Sequence, residues 1–225
     1  MIYCKQKLKN AKVKIREKLN PVFAPFRRKK LIADDFTIIS NNCWGGHVYR
    51  YFGLPYSSPT IGCYFYAEDY IKFCKNLKYY IECDLKFISF LDSRYKEDLI
   101  LHNNTNCPIG KLDDIEVVFL HYRSENEARE KWNRRKQRIN WDNIAIKMSE
   151  QNLCNEMILH EFDKLPYKKK IAFVAKNYNI DSQIIWGKNG IKNGQVSIDT
   201  VDFKKYINIV KWLNGKNEYK KRQKR

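Results

Sequence analysis

Short runs of β-branched and aromatic residues alternate along this chain with longer stretches whose apolar positions recur every three or four residues. That alternation restricts the fold more than any other feature. Phe36–Ser40, Leu85–Phe90, Ile115–Tyr122, Asn143–Met148 and Ile171–Ala175 read as strands, with Ile115–Tyr122 central and Gln183–Trp186 at an edge. Tyr70, Ile71, Phe73, Cys74, Leu77, Tyr80 and Ile81 give Ala67–Cys83 a broad helical face. Ser124 followed by Glu127 forms a capping box that starts a helix running to about Ile139. Cys154–Asp163 reads as a helix stopped before Pro166, and Val201–Leu213 as a last helix ending near Gly215. The first strand delivers the chain into an Asn/Gly-rich turn, Asn41–Gly46, which continues as a long loop. Strands separated by helices require right-handed crossovers. The expected fold is therefore α/β: one domain with a mostly parallel or mixed sheet and helices on both faces.

Charge divides the chain into three parts. Of the net +18, residues 1–30 hold +10, with Glu17 their one acid, and residues 211–225 hold +6, with Glu218 theirs; the rest is only +2. A nearly neutral body with cationic ends argues against a nucleic-acid groove and for tethering to an anionic membrane surface. Leu8, Ala11, Ile15, Leu19 and Val22 follow helical spacing in the first part until Pro21 and Pro25 stop it, with lysines mostly on other faces. The expected organisation is a basic amphipathic arm over 1–34, an α/β domain over 35–215 and a basic tail over 216–225. No run approaches the roughly 18 to 20 apolar residues that span a bilayer, and the N-terminus lacks a signal-peptide core. Cytoplasmic location, peripheral on the inner face of the plasma membrane, is the expectation. Seven scattered cysteines with no Cys-x-x-Cys pair suggest neither a disulfide framework nor a zinc knuckle.

Ligands of an open parallel sheet bind beyond the carboxyl ends of its strands, so the residues that follow each strand are the candidates for chemistry. These are Ser40, Asn41, Asn42, Cys43, Trp44, Gly45, Gly46 and His47 after the first strand, His121, Tyr122 and Arg123 after another, and Ser149, Glu150 and Lys176 after later ones. Cys43, in a glycine-following turn whose amides would lower a thiol's pKa and hold an oxyanion, is the candidate nucleophile. His121 or His47 is its candidate base. The alternative is that Cys43 fills space and His121 caps a helix, while Asn41 and Asn42 either make the turn or recognise an oxyanion or sugar hydroxyls. On the helix after Ser124, Arg134 and Arg138 share one stripe, and Lys131 and Arg135 another. Either stripe would grip a pyrophosphate, unless it is a solvated face paired with Glu127 and Glu130. His160-Glu161-Phe-Asp163 lacks the His-Glu-x-x-His spacing, so no metal is expected. There is no Gly-x-Gly-x-x-Gly or Walker loop, and no Asp-x-Asp motif.

Seven blocks spread over residues 36–215 carry a family resemblance: FTIISNNCWGG (36–46), YSSPTIG (56–62), DYIKFCKNLKYY (69–80), PIGKLDDIEVVFLHY (108–122), AREKWNRRKQRINWDN (128–143), EFDKLPY (161–167) and VKWLNG (210–215). They closely resemble a bacterial family of exopolysaccharide biosynthesis proteins built on a domain of unknown function. That resemblance implies a mixed α/β fold and a place in capsule or lipopolysaccharide assembly, without bringing a reaction. The turn Ser40-Asn-Asn-Cys43 also resembles the Gly-Asn-Cys turn of polysaccharide acetyltransferases, although the chain lacks their Asp-x-x-His pair near its C-terminus. The leading expectation is an O-acyltransferase acting on a glycan or lipid-linked sugar precursor, with acyl-CoA as donor, Cys43 as nucleophile or acyl-binding residue and Arg134 or Arg135 on phosphate. A glycosyl- or phosphoglycosyl-type transferase using a nucleotide-sugar is the second reading, with Asn41, Asp69, Asp113 and Asp114 on sugar hydroxyls. A non-catalytic scaffold of the same pathway is the third.

Overall fold

The extended runs assemble as the sequence pattern requires, but into two principal sheets. A computed structural model describes residues 20–200, 203–216 and 219–220 of the 225. Residues 20–28 are helical (α1), followed by β1 (Thr37–Ser40), α2 (Trp44–Phe52), α3 (Ala67–Lys75), α4 (Leu77–Glu82), β2 (Lys86–Ile88), α5 (Lys96–Leu101), β3 (Ile109–Leu112) and β4 (Ile115–Val118). Then come α6 (Glu125–Lys136), β5 (Ile144–Ser149), α7 (Glu156–Lys164), β6 (Lys169–Val174), β7 (Gln183–Ile185), the two-residue strands β8 (Ile191–Lys192) and β9 (Gln195–Val196), and α8 (Ile209–Leu213). Strands β1-β5-β6-β7 form one four-stranded sheet in that order, and every pairing in it is parallel.

Period-two alternation sorts this sheet's side chains to two faces. Ile39, Ile146, Met148, Ala172 and Val174 pack on one side with the apolar faces of α3 and α7. Ile38, Ala145, Ile171 and Phe173 pack on the other with α2 and α8, where the Trp44 ring meets Phe173 and Trp212 edge-on. Both faces are therefore covered, and the chain is a single mixed α/β domain.

Five expectations are corrected. Ile115–Tyr122 is not a central parallel strand. Its first four residues form β4, at one end of a separate antiparallel sheet of order β2-β3-β4, and Asp113 in the left-handed region turns β3 into β4. β3 itself, Ile109–Leu112, follows Pro108 and is an addition to the strands expected from the sequence. The first part of the long loop after Asn42 is instead α2, because Trp44, Val48, Tyr49 and Phe52 make one buried face and Gly45 lets the helix press on the sheet, where a Cβ would lie 3.3 Å from both Ile38 and Ile61; residues 53–63 are the loop. The helix expected over Ala67–Cys83 is broken at Asn76, where φ/ψ of −128°/47° ends one turn pattern before the next begins. Pro21 and Pro25 lie within α1 rather than stopping it, and α8 is shorter than Val201–Leu213. The stripe Leu8 to Leu19 lies outside the described residues.

The described part of the arm packs on the domain. Arg27 donates to the Tyr51 carbonyl at 2.8 Å, and Arg28 to those of Phe52 and Gly53 at 2.9 and 3.0 Å, so two guanidinium groups satisfy carbonyls at the end of α2. Gly53 there adopts φ 62°, a left-handed cap where any Cβ would also approach the Ala24 methyl to 2.9 Å. Among the described residues, no helix is long and apolar enough to cross a membrane.

The start of α6 matches the capping signal. Ser124 Oγ accepts from Glu127 N at 3.2 Å, while the Glu127 carboxylate reaches one residue further back and accepts from Arg123 N at 2.8 Å. Ser124→Ala is expected to lower unfolding stability by about 1 kcal/mol. A urea midpoint identical to that of the unsubstituted chain would show that the cap contributes nothing.

Candidate functional site

A cleft of 330 Å³ opens where four segments meet. Cys43 and Gly46 stand just beyond the carboxyl end of β1, and His47 and Arg50 follow on the next turns of α2. Tyr56 to Gly62 forms one wall, His121 and Tyr122 after β4 another, and Lys131 and Arg135 on α6 complete it. Every charged side chain among these is cationic. Glu127 offsets Lys131 from one turn away on α6. Arg135 is held by its own contacts: Nη1 donates to the Ile61 carbonyl at 2.9 Å and to Tyr122 Oη at 2.6 Å, while the guanidinium lies 5.0 Å from the Tyr56 ring centroid. Tyr122 in turn donates to the Ile61 carbonyl. That wall needs glycine at position 62, where φ is 83° and a Cβ would fall 2.9 Å from the Tyr122 ring. Arg50 Nη2 donates to His47 Nδ1 at 2.9 Å, so the two lie together on the cleft side of α2.

Beneath this floor lies a buried polar cluster. Lys147, from the middle of the four-stranded sheet, is fully buried, and its ammonium donates to Asn42 Oδ1 at 2.9 Å, to Ser149 Oγ at 2.6 Å and to the Asp199 carboxylate. Asp199 also accepts from Asn42 Nδ2 and Ser149 Oγ, each at 2.7 Å. The rings of Trp44 and Phe173 complete the enclosure, with centroids 5.6 and 5.1 Å from the ammonium. Burial would push the Asp199 carboxyl up, but Lys147 and the hydrogen bonds from Asn42 and Ser149 hold it below its ordinary value. Burial pulls the Lys147 ammonium down against the opposing pull of Asp199. Because the Asp199 carboxyl is lower in the folded chain than in the unfolded one, its contribution to stability is complete above about pH 4 and is lost as pH falls through the folded value.

The thiol of Cys43 is half-buried between cleft and cluster and donates to the Cys63 carbonyl at 3.8 Å. Burial, and after it the Asp199 charge, push it up to about 11, with Lys147 and Arg50 pulling the other way. The expected lowering by turn amides does not occur. Those amides are already committed, Trp44 N to Asn42 Oδ1 at 3.1 Å and Gly46 N to the Cys43 carbonyl at 3.2 Å.

Of the residues expected from sequence, Cys43, Gly46, His47, His121 and Arg135 meet in the cleft. Ser40 and Asn42 are buried in the cluster below. Asn41 ties the end of β1 to β5 by a reciprocal pair of 2.9 Å bonds with Ser149 N and O. Trp44 and Gly45 are buried in core packing. Arg134 faces solvent beside Glu130, and Arg123 is exposed outside the lining, so of the two stripes on α6 it is Lys131 and Arg135 that reach the cleft. Glu150 is buried against Tyr178, and Lys176 is exposed over the same ring. Lys147, Asp199 and Arg50 went unread. Lys147 alone carried a signal, as the one charge inside the apolar run Ile144 to Met148. Among the described residues, no group of three or more His, Cys, Asp or Glu is arranged to hold a metal ion.

Fold and cleft together define an α/β domain with a cation-lined opening at the carboxyl edge of its parallel strands. The chain belongs to the family described as Domain of unknown function (DUF1919), which matches residues 14–214 and so reaches back into the arm. It is also 32% identical over 195 residues to an uncharacterized protein of Haemophilus influenzae, covering 83% of this chain and 88% of that one.

Two outcomes follow from this chemistry. Lys147→Met strands the Asp199 carboxylate in the interior and is expected to cost about 3–5 kcal/mol in urea unfolding, with much of it recovered in the double variant with Asp199→Asn. A loss below about 1 kcal/mol would mean that the pair is solvated. Alkylation of Cys43 by iodoacetamide, followed by peptide mass spectrometry, should still be accelerating at pH 10, because the thiol is pushed up to about 11. A rate that levels off below pH 9 would contradict this, being near or below the ordinary thiol value of about 8.5.

Proposed function

We propose that the chain is a transferase of cell-surface polysaccharide assembly whose cleft binds the phosphate or diphosphate of an activated donor or glycan precursor. The observation that carries this reading is the convergence of Arg50, Lys131 and Arg135, with the imidazoles of His47 and His121, on one cleft whose lining holds no described acid. Guanidinium and ammonium groups around a recess of this size match a pyrophosphate in charge and in hydrogen-bond geometry. Lys131 and Arg50 would contact phosphate oxygens, while Arg135 would shape the wall through Tyr122 and Ile61. His121, exposed on the rim, would take a proton from an incoming sugar hydroxyl. The link to exopolysaccharide, capsule or lipopolysaccharide rests on the sequence blocks across residues 36–215.

Acyl transfer through Cys43 is the second reading, favoured by one observation: the sulfur shares the cleft with both candidate bases. It requires an imidazole to withdraw a proton from a thiol whose pKa is pushed up to about 11. On the first reading Cys43→Ala keeps its affinity for donor. A thioester on Cys43 after incubation with acetyl-CoA, detected by intact mass, would favour the second.

Calorimetric titration with inorganic pyrophosphate and with a nucleoside diphosphate sugar tests the main reading. Both should bind more weakly as salt rises, and Lys131→Gln and Arg50→Gln should each weaken them by about tenfold or more. If neither compound binds at low ionic strength, or if both variants bind as tightly as the parent chain, the phosphate-binding role is lost.

A further inference from the structure

Arg50 and Tyr56 of the basic cleft also line a second recess of 500 Å³, where Pro21, Ala24 and Pro25 of α1 face Leu54 and Pro55 after α2, with Asn20 and Arg28 as its other polar groups. The two recesses therefore share Arg50 and Tyr56 as a common wall, one lined by cations and the other mostly by apolar side chains. They ask for different chemistry. Free pyrophosphate would leave the proline- and leucine-lined recess without a matching group, whereas a phosphate esterified to a hydrocarbon chain matches both.

The surface of α1 supports the same occupant. Val22, Phe23 and Phe26 are 61, 49 and 64% exposed, although Ala24 on the same helix is buried against the domain. The basic run that follows presents Lys29 and Lys30 to solvent, while Arg27 and Arg28 are engaged with the carbonyls of Tyr51, Phe52 and Gly53. Exposed apolar side chains next to a basic run are the pattern of a helix that lies in the headgroup region of an anionic membrane, where lipid-linked phosphates are found.

We infer that the substrate is a lipid-linked phosphate or diphosphate: its hydrocarbon chain lies in the groove between α1 and the Gly53–Tyr56 segment, and its phosphate lies in the adjoining cationic cleft. This deepens the phosphate-binding reading and rests on it. Arg50 stands where chain and phosphate join, Lys131 reaches the phosphate from α6, and Leu54 contacts only the chain.

The test titrates the full chain with farnesyl diphosphate, kept below its aggregation threshold, and with inorganic pyrophosphate at the same ionic strength. Farnesyl diphosphate should bind about tenfold or more tightly, since burying even a few methylenes yields that ratio. Leu54→Asn, which removes the apolar contact without adding charge beside Arg50, should abolish the advantage while leaving pyrophosphate affinity unchanged, which also establishes that the variant is folded. Arg50→Gln should weaken both compounds. Pyrophosphate binding with no gain from the prenyl chain would overturn the lipid assignment and leave the phosphate reading standing. Binding of neither would remove both. A prenyl advantage that survives Leu54→Asn would also overturn the assignment, by placing the chain elsewhere.

Discussion

The ammonium of Lys147 and the carboxylate of Asp199 are enclosed where the parallel sheet gives way to its ligand edge, and most of the molecule's arrangement there is set by the need to satisfy them. A charge out of reach of water is tolerable only if its hydrogen-bonding capacity is met, so Asn42 and Ser149 are drawn in as partners to both ions. Those residues come from the ends of two adjacent strands, and Asp199 comes from a segment 50 residues after Ser149 in the chain. The pair thereby pins the β1-to-α2 junction, the end of β5 and the strap beyond β9 to one point. Cys43 is the residue after Asn42, so the position of its sulfur, and the burial that keeps it protonated, follow from the same constraint.

The cleft is assembled from parts that are individually ordinary. The first turns of α2 supply Gly46, His47 and Arg50 because glycines let that helix lie close on Ile38 and Ile61. A separate antiparallel sheet brings His121 and Tyr122 across, and α6, started by its Ser124 cap, presents Lys131 and Arg135 one turn apart. Positive charge collects there because α2 and α6 present Arg50, Lys131 and Arg135 to a common gap, while Glu127 faces along α6 toward Lys131. An electrostatic well of this kind discriminates by charge before it discriminates by shape.

Legibility in the sequence followed the range of the interactions. Local signals read correctly: the capping box at Ser124, the parallel strands around Ile38, Ile146 and Ala172, and the edge strand at Gln183. Features decided by contacts far apart in the chain did not. The residues Ile109–Leu112 are paired as a strand by β2 and β4 on either side, and Gly45-Gly46 sits in a helix packed so close on Ile38 and Ile61 that a Cβ would come within 3.3 Å of them. Cys43 and the two histidines were found because they follow strand ends, a topological rule. Arg50 was missed because it reaches the cleft from the far turn of a helix that the glycines concealed, and Asp199 because nothing near it in sequence announces that a lysine lies against it.

The contacts of Arg27 and Arg28 with the last carbonyls of α2 carry a mechanical implication. That helix has nine residues, so its two ends stand only about 13 Å apart. One end holds Cys43 at the floor of the cleft, and the other is gripped by the arm. Over so short a rod there is little compliance to absorb displacement. Any force that shifts the arm is delivered to His47 and Arg50, so the seating of α1 and the aperture of the cleft form one coupled degree of freedom.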